Sequence, residues 1–273
     1  PSVFSVFYVV KKVLKAGVNM KKLIIFDIDG TLVSYKDETH IPIETIQAIK
    51  KLKEKGNLIA VATARTYIFT VKILEELSID YAILHNGAQI IVDKKSVYEK
   101  KIGKYNSLNI CRKLLKTPLS VLAFNENYIY SHNLSAESKR YLESETGKKN
   151  FIKSLQENQS SLFSISLYGE YNGFLDFISN ISSIDFKEKE HQITAAYVSK
   201  GKAVKHLAKL LNIKQEDIVA VGDGINDIEM LRIANIGIAV GNACAPLKAM
   251  ADIVSDDIDD GGILNCFKSL GYI

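Results

Sequence analysis

Short apolar runs alternate with segments of helical periodicity near the start of the chain. The runs Leu23–Ile28, Leu58–Ala62 and Tyr81–Leu84 are typical of buried parallel strands, since a strand covered on both faces is apolar on both. The segments Ile43–Lys55 and Arg65–Leu77 between them are predicted to be helices. This alternation predicts an α/β fold with a parallel sheet and right-handed crossovers.

The pattern changes in the middle third of the chain, which is more polar and has strands of its own. The predicted strands here are Gln89–Val92, Val121–Phe124, Tyr128–Tyr130 and Leu162–Leu167, and the predicted helices are Tyr105–Leu115, Ala136–Thr146 and Asn172–Ile181. After Lys200 the strand–helix alternation returns. We therefore predict a Rossmann-like parallel-sheet core, residues 20–86 and 191–273, with an inserted α+β domain at 87–190.

Residues 1–19 form a separate segment in this reading. An apolar run over Val3–Val10 is followed by lysines, the reverse of the charge order in a signal peptide, and it is too short to span a bilayer. Met20 then opens MKKLIIFDIDGT, which reads like a natural start. We interpret residues 1–19 as a non-native or misassigned extension. The alternative is an amphipathic segment that packs on the domain or on a partner.

The composition narrows the class of protein. Hydrophobic residues make up 47% and charged residues 24% of the 273, as in a globular enzyme, and the net charge of +4 comes without a basic block. Three scattered cysteines fit a reducing compartment and predict neither disulfides nor a zinc site. No apolar run reaches the length of a membrane helix. We expect a cytoplasmic monomer or weak dimer with no nucleic-acid or membrane partner.

Two pairs of carboxylates follow apolar strands. Asp27 and Asp29 lie at the carboxyl end of the first strand, where ligands bind in open α/β sheets, and residues two apart on a strand point the same way. Such a pair needs a compensating charge, and a hard divalent cation such as Mg²⁺ suits its oxygen ligands. Asp223 and Asp227 follow a later apolar strand and belong to the same edge of the sheet if the strands are neighbours. Either pair alone would be equally well explained as a solvated loop or a helix N-cap.

Two further residues complete a set suited to phosphoryl transfer. Thr63 follows the second strand and can donate a hydrogen bond to a phosphate oxygen, and Lys200 precedes a helix and can offset negative charge. Taken singly, Thr63 fits a helix N-cap and Lys200 a solvated side chain. Their significance comes from their positions relative to the two carboxylate pairs.

These residues resemble the four motifs of the haloacid dehalogenase-like phosphatase superfamily, over essentially all of residues 20–273. The matching segments, in order, are Asp27-Ile28-Asp29-Gly30-Thr31, Thr63, Lys200-Gly201 and Gly222-Asp223-Gly224-Ile225-Asn226-Asp227. The Cof-type subfamily, with a large cap domain between the second and third motifs, is the most similar. The segments that look like this subfamily are Asn86-Gly87-Ala88, Asn242-Ala243 and Ala251-Asp252 before Gly261-Gly262.

The resemblance implies a role for each motif residue. Asp27 would be the nucleophile that forms an aspartyl phosphate, and Asp29 would protonate the leaving alcohol and then activate water. Thr63 and Lys200 would position the phosphoryl group. The implied Mg²⁺ ligands are Asp27, the backbone carbonyl of Asp29, and Asp223, with Asp227 in or next to that shell. The resemblance also implies substrate-binding roles for Asn86 and Asn226.

We therefore expect a Mg²⁺-dependent phosphatase acting on a small phosphorylated metabolite, with a sugar phosphate favoured. Asp29 would need a raised pKa to act as an acid, which crowding by other carboxylates could supply. The sequence departs from the subfamily at Ala64, where many relatives have glycine, and at Gln192-Ile193-Thr194, where Glu-Ile is common. A sugar phosphomutase or phosphotransferase with the same motifs, and a non-catalytic regulatory relative, remain as alternatives.

Overall fold

The computed structural model describes residues 22–36, 40–126, 128–146, 152–156, 161–169, 184–187, 190–194 and 198–273. The segment 1–19 and the predicted helix at Asn172–Ile181 lie outside these residues. The described chain forms two compact units. The first contains the described residues up to Arg65 together with Thr70–Tyr98 and Ser199–Ile273, and the second contains those of Thr66–Phe69 and Glu99–Val198.

Fourteen strands and eight α-helices are found in the described part of the chain. The strands are β1 (Leu23–Phe26), β2 (Leu58–Ala62), β3 (Tyr81–Leu84), β4 (Gln89–Val92), β5 (Lys95–Glu99), β6 (Ser120–Phe124), β7 (Ile129–His132), β8 (Ile152–Ser154), β9 (Ser164–Tyr168), β10 (Ile184–Lys187), β11 (Glu190–Thr194), β12 (Ile218–Gly222), β13 (Ile236–Ala239) and β14 (Ile253–Val254). The helices are α1 (Ile43–Glu54), α2 (Tyr67–Glu76), α3 (Lys104–Leu114), α4 (Ala136–Thr146), α5 (Lys200–Leu210), α6 (Ile228–Ile233), α7 (Ala245–Met250) and α8 (Gly262–Ser269).

The first unit contains an eight-stranded sheet in the order β14-β13-β12-β1-β2-β3-β4-β5. The strands from β14 to β3 pair in parallel, as the sequence predicts, and β4 runs antiparallel to β3. All four residues of β1 are fully buried, which explains why its sequence is a continuous apolar run. The sheet therefore brings β12, β1 and β2 side by side at the centre.

Helix periodicity explains how α1 covers its share of the core. Its buried residues Thr45, Ala48, Ile49 and Leu52 recur every three or four positions, so they lie on one face. Helix α8, which the sequence analysis did not predict, packs against α1, and its Phe267 ring lies 5.9 Å from that of Phe26 between centroids. Helix α5 begins after Ser199, whose hydroxyl accepts a hydrogen bond from the Lys202 N–H.

The strand Gln89–Val92 was grouped with the inserted domain on the basis of the sequence, and this grouping is wrong. It pairs with β3 in the larger sheet, from Tyr81 opposite Val92 to Leu84 opposite Gln89. The chain reverses between β3 and β4 within the short segment His85–Gly87, whose three residues all have positive φ. Because the reversal takes only three residues, the apolar run that follows it lies directly beside β3. The other proposed limits of the inserted domain remain a prediction.

The second unit has its own six-stranded sheet, in the order β10-β11-β9-β6-β7-β8. Its pairings are antiparallel except for the parallel pair β7–β8. Residues of β6 alternate between two apolar clusters: Val121 and Ala123 belong to one, and Leu122 and Phe124 to the other. Strands β5, β8, β10 and β11 are not among the predicted elements. None of the helices in the described part of the chain combines the length and hydropathy needed to cross a membrane.

Candidate active site

Three of the predicted site residues directly follow neighbouring strands of the larger sheet. Asp27 follows β1, Thr63 follows β2 and Asp223 follows β12. The parallel registers place Phe26 opposite both Val61 and Val221, so the carboxyl ends of these strands meet at one edge. The sequence places Asp223 at the same edge as Asp27 only if their strands are neighbours, and β12 does lie beside β1.

Three carboxylates form a compact cluster at this edge. One oxygen from each of Asp27, Asp223 and Asp227 lies within 4.8 Å of the others, and all three residues are buried. This arrangement could hold a metal ion, and carboxylate oxygens are the ligands that Mg²⁺ prefers. The side chain of Asp29 is not part of the cluster.

Lys200 is the cation of this cluster. As the first residue of α5 it is only 1% exposed, and its Nζ lies 2.8 Å from Asp27 Oδ1 and 2.7 Å from Asp227 Oδ1. Burial by itself lowers the pKa of Lys200, but the charges of Asp227 and Asp27 outweigh it and raise the pKa overall. Lys200 therefore stays protonated, and it is not the solvated side chain that its type alone would suggest.

The cluster carries more negative charge than Lys200 can offset. The cluster contains three carboxylates and one ammonium, which contacts two of them, so two negative charges are in excess when all are ionised. The pKa of Asp27 is raised well above its ordinary value, first by burial and then by Asp227, with Lys200 opposing the shift. A divalent cation would balance this excess, so the residues present fit the predicted metal.

Asp227 holds the loop that carries Asp223. Its Oδ1 accepts from Lys200, and its Oδ2 accepts the backbone N–H groups of Asp223 and Gly224 at 3.0 and 2.9 Å. Gly222 is required beside it, because a Cβ there would lie 2.6 Å from Asp227 Oδ2. Since both oxygens of Asp227 accept hydrogen bonds within the protein, its geometry suits a residue that orients the loop.

Asp29 pairs with Arg65, which the sequence analysis did not identify. The Arg65 Nε lies 3.0 Å from Asp29 Oδ1 and 3.2 Å from Oδ2, and the guanidinium Nη2 also bonds to Oδ1. A guanidinium in this bidentate position favours the ionised carboxylate. At Asp29 the negative charge of the neighbouring carboxylates is therefore offset by the positive charge of Arg65. The only signal in the sequence was that Arg65 follows Thr63 by two residues at the same strand end.

The remaining predicted residues, Thr63, Asn86 and Asn226, lie at the ends of the same strands. The buried Thr63 hydroxyl accepts the Arg65 N–H at 3.0 Å, which leaves its own proton available for donation. Asn86 and Asn226 contact each other, since the Asn226 Nδ2 donates to Asn86 Oδ1 at 3.1 Å. Asn86 also donates its backbone N–H to the Thr63 carbonyl. The two asparagines therefore link the ends of β2, β3 and β12.

Three hydrogen bonds fix the loop after Asp29. Asn242, noted in the sequence only as a subfamily feature, donates to the carbonyl of Gly30 at 2.7 Å. The hydroxyls of Thr31 and Tyr35 donate to the two oxygens of Asp223, at 3.3 Å to Oδ1 and 2.8 Å to Oδ2 respectively. No periodicity or motif in the sequence indicates the contact of Tyr35, because it depends on how the loop folds back.

Comparisons with known proteins agree with this geometry. A family model described as haloacid dehalogenase-like hydrolase matches residues 24–267. Phosphatase YwpJ of Bacillus subtilis (strain 168) is 29% identical, over 91% of this chain and 99% of that protein. The 5-amino-6-(5-phospho-D-ribitylamino)uracil phosphatase of the same organism is 26% identical, over 88% and 92% of the two chains. The solved structure of a sugar phosphatase of HAD subclass IIB aligns with a TM-score of 0.80 and 27% identity, over 92% of this chain and 100% of that one.

The chain therefore belongs to the haloacid dehalogenase-like hydrolases. It is a phosphatase, which confirms the predicted enzyme class, and its resemblance to the Cof-type subfamily is confirmed as well. The predicted α/β fold class is confirmed by the structural likeness.

Proposed function

We propose that this protein is a Mg²⁺-dependent phosphatase that hydrolyses a small phosphorylated metabolite through an aspartyl-phosphate intermediate. The observation that carries the proposal is the position of Asp27. Its carboxylate lies at the carboxyl end of a central strand, bonded to the buried Lys200 and beside the carboxylates of Asp223 and Asp227. A buried carboxylate in a charged cluster is suited to chemistry rather than to stability.

The first half-reaction would transfer the phosphoryl group to the protein. A carboxylate oxygen of Asp27 attacks phosphorus, an O–P bond forms, and the bond between phosphorus and the substrate oxygen breaks. Asp29 gives its proton to the departing oxygen, which leaves as an alcohol. Thr63 and Lys200 hold the phosphoryl oxygens, and the pair Asn86–Asn226 binds the substrate beside them. Because Arg65 favours ionised Asp29, this step requires Asp29 to be protonated and its contact with Arg65 loosened.

The second half-reaction would release inorganic phosphate. Asp29, now ionised, takes a proton from water, the water oxygen attacks phosphorus, and the bond to Asp27 breaks. This restores the carboxylate of Asp27 and the protonated form of Asp29. The contact of Asp29 with Arg65 that is seen here corresponds to the base form of the residue.

The residues that would hold Mg²⁺ are the carboxylates of Asp27 and Asp223 and the backbone carbonyl of Asp29. Asp227 would lie next to them and keep Asp223 in place through the loop N–H groups. When bound, the cation supplies neutralisation of negative charge and a fixed orientation for the reacting groups. The fit rests on the donor set, which is all oxygen, and on the excess negative charge of the cluster.

The relatives support a substrate class. One is named for a sugar, and another for a uracil that carries a phosphorylated ribityl chain. Both names describe phosphate esters of polyhydroxylated carbon chains. We propose the same class for this protein, with a sugar phosphate favoured.

A panel assay with a chemical trap tests the proposal. The purified protein would be incubated with Mg²⁺ and sugar, polyol and nucleotide phosphates, and released inorganic phosphate would be measured. A brief reaction with ³²P-labelled substrate, quenched in acid, should leave label on wild type and none on Asp27→Asn. Label that moves to a second sugar instead of water would indicate a mutase or phosphotransferase. Absence of turnover and label with every substrate would indicate a non-catalytic relative.

A further inference from the structure

The aromatic ring of Tyr35 lies against Gly30, in the loop that follows Asp29. The loop turns back on itself after Asp29, with the Gly30 N–H donating to the Val33 carbonyl at 2.8 Å. Gly30 has a φ of +77°, and a Cβ at this position would lie 2.3 Å from the Tyr35 ring and 2.5 Å from Asp223 Oδ2. A glycine is therefore needed for the ring to lie against the backbone and reach Asp223.

The hydroxyl of Tyr35 forms a hydrogen bond with a carboxylate of the cluster. It donates to Asp223 Oδ2 at 2.8 Å, although the residue is 59% exposed. An exposed tyrosine normally leaves its hydroxyl to water, so this contact needs an explanation. The buried Asp223 thus accepts from an exposed residue at Oδ2 and from the buried Thr31 at Oδ1.

The residues on both sides of Tyr35 are tied to a single carboxylate. The Ser34 hydroxyl donates to Asp259 Oδ2 at 3.1 Å, and the Lys36 Nζ lies 2.8 Å from the same oxygen. Asn242 fixes the start of the loop through the Gly30 carbonyl. The loop is therefore held at three points around Tyr35, which limits the directions that the ring can take.

We propose that Tyr35 is a positioning residue of the metal site, whose hydroxyl holds Asp223 in the orientation that binds a divalent cation. This inference rests on the proposed function, in which Asp223 is a metal ligand. Each carboxylate oxygen has two lone pairs, so Asp223 can accept from Tyr35 and bind a cation together. Groups that hydrogen-bond to a ligand in this way fix its direction and raise the affinity for the metal.

The test compares Tyr35→Phe with wild type by calorimetric titration with Mg²⁺, with no substrate present. The variant keeps the ring and loses only the donor. We expect the Mg²⁺ dissociation constant to rise about tenfold. The control is Tyr105→Phe, since Tyr105 is 75% exposed in the second unit and should leave the dissociation constant unchanged.

A second readout locates the bound ion beside the ring. The chain has no tryptophan and 13 tyrosines, so bound Tb³⁺ can be sensitised strongly only by a nearby tyrosine. Wild type and Tyr105→Phe should show Tb³⁺ emission that Mg²⁺ displaces, and Tyr35→Phe should lose most of it even when saturated with Tb³⁺. An unchanged or tighter Mg²⁺ affinity in Tyr35→Phe, with wild type binding normally, would overturn the role of Tyr35 alone. Failure of wild type to bind Mg²⁺ would overturn the proposed function as well.

Discussion

The Nζ of Lys200 lies 2.8 Å from Oδ1 of Asp27, and both residues are buried. The same ammonium also contacts Asp227, so its charge is divided between two carboxylates. The pKa of Asp27 is consequently raised, because burial and the other acids outweigh the single cation. This relationship has consequences for stability as well as for catalysis.

Replacement of Asp27 should separate activity from stability. We expect Asp27→Asn to lose turnover by several orders of magnitude, since the covalent route disappears. In chelator, the same variant should unfold at a higher temperature than wild type. A folded-state pKa above the unfolded value means that stability falls as pH rises from about 3.8 through the folded pKa, and the amide removes this cost at neutral pH.

Calorimetry at pH 7.5 in chelator measures the difference. A gain in Tm is expected, and about 1 kcal/mol would shift Tm by about 2 to 4 °C in a protein of this size. The matched control is Asp260→Asn, an exposed carboxylate that should leave Tm and activity unchanged. A less stable Asp27→Asn, or one that keeps more than a tenth of the wild-type rate, would contradict the prediction.

Removal of Mg²⁺ should abolish activity reversibly. The cluster offers oxygen ligands and excess negative charge, so we expect excess chelator to stop turnover and added Mg²⁺ to restore it. Calcium should substitute poorly, since its larger and looser shell misplaces the reacting groups. Mg²⁺ should also raise the Tm of wild type more than that of Asp223→Asn. Full activity in excess chelator would refute the metal requirement.

Replacement of Asp29 should depend on the leaving group. If Asp29 protonates the departing oxygen, Asp29→Asn should slow hydrolysis of an alkyl phosphate far more than that of p-nitrophenyl phosphate. The aspartyl phosphate should also accumulate on the aryl substrate, because water activation is lost. Initial rates and acid-quenched label measure the two effects. Equal losses on both substrates would argue against the acid role.

The buried His85 should make the protein sensitive to acid. Burial lowers the pKa of His85 to about 3, so the folded state resists a proton that the unfolded chain accepts near pH 6.5. Stability should therefore be lost as pH falls through this window, by about 2 kcal/mol between pH 6.5 and pH 5 from this residue. Urea unfolding at both pH values measures it.

The variant His85→Asn isolates this contribution. Asparagine tolerates the positive φ of 51° at this position and has no proton to gain. Its loss of stability between pH 6.5 and pH 5 should be about 2 kcal/mol smaller than that of wild type. His40→Asn, at an exposed histidine, should behave like wild type. An identical pH dependence in all three proteins would exclude His85 as the source.

Sequence reasoning succeeded where one segment's own pattern decides its structure. The apolar run of β1 is typical of a strand buried on both faces, and Asp27 follows it directly. Both the strand and the polar residue at its end can therefore be predicted from the sequence. It failed for Gln89–Val92, because an apolar run does not specify which neighbour it pairs with. That choice depends on the tight reversal at His85–Gly87.

The sequence by itself determined the α/β class, the strand ends that carry Asp27, Thr63 and Asp223, and the motifs that resemble those of the family. These depend on local periodicity and on residue types at fixed spacing. Only the tertiary structure decided that Arg65 pairs with Asp29 and that Tyr35 donates to Asp223. In both contacts the two residues are far apart in the chain. An arginine or a tyrosine side chain could also be exposed to solvent, so the residue type does not indicate the contact. The direction of such a side chain is set by the charges that the fold brings near it, and no pattern along the chain records those.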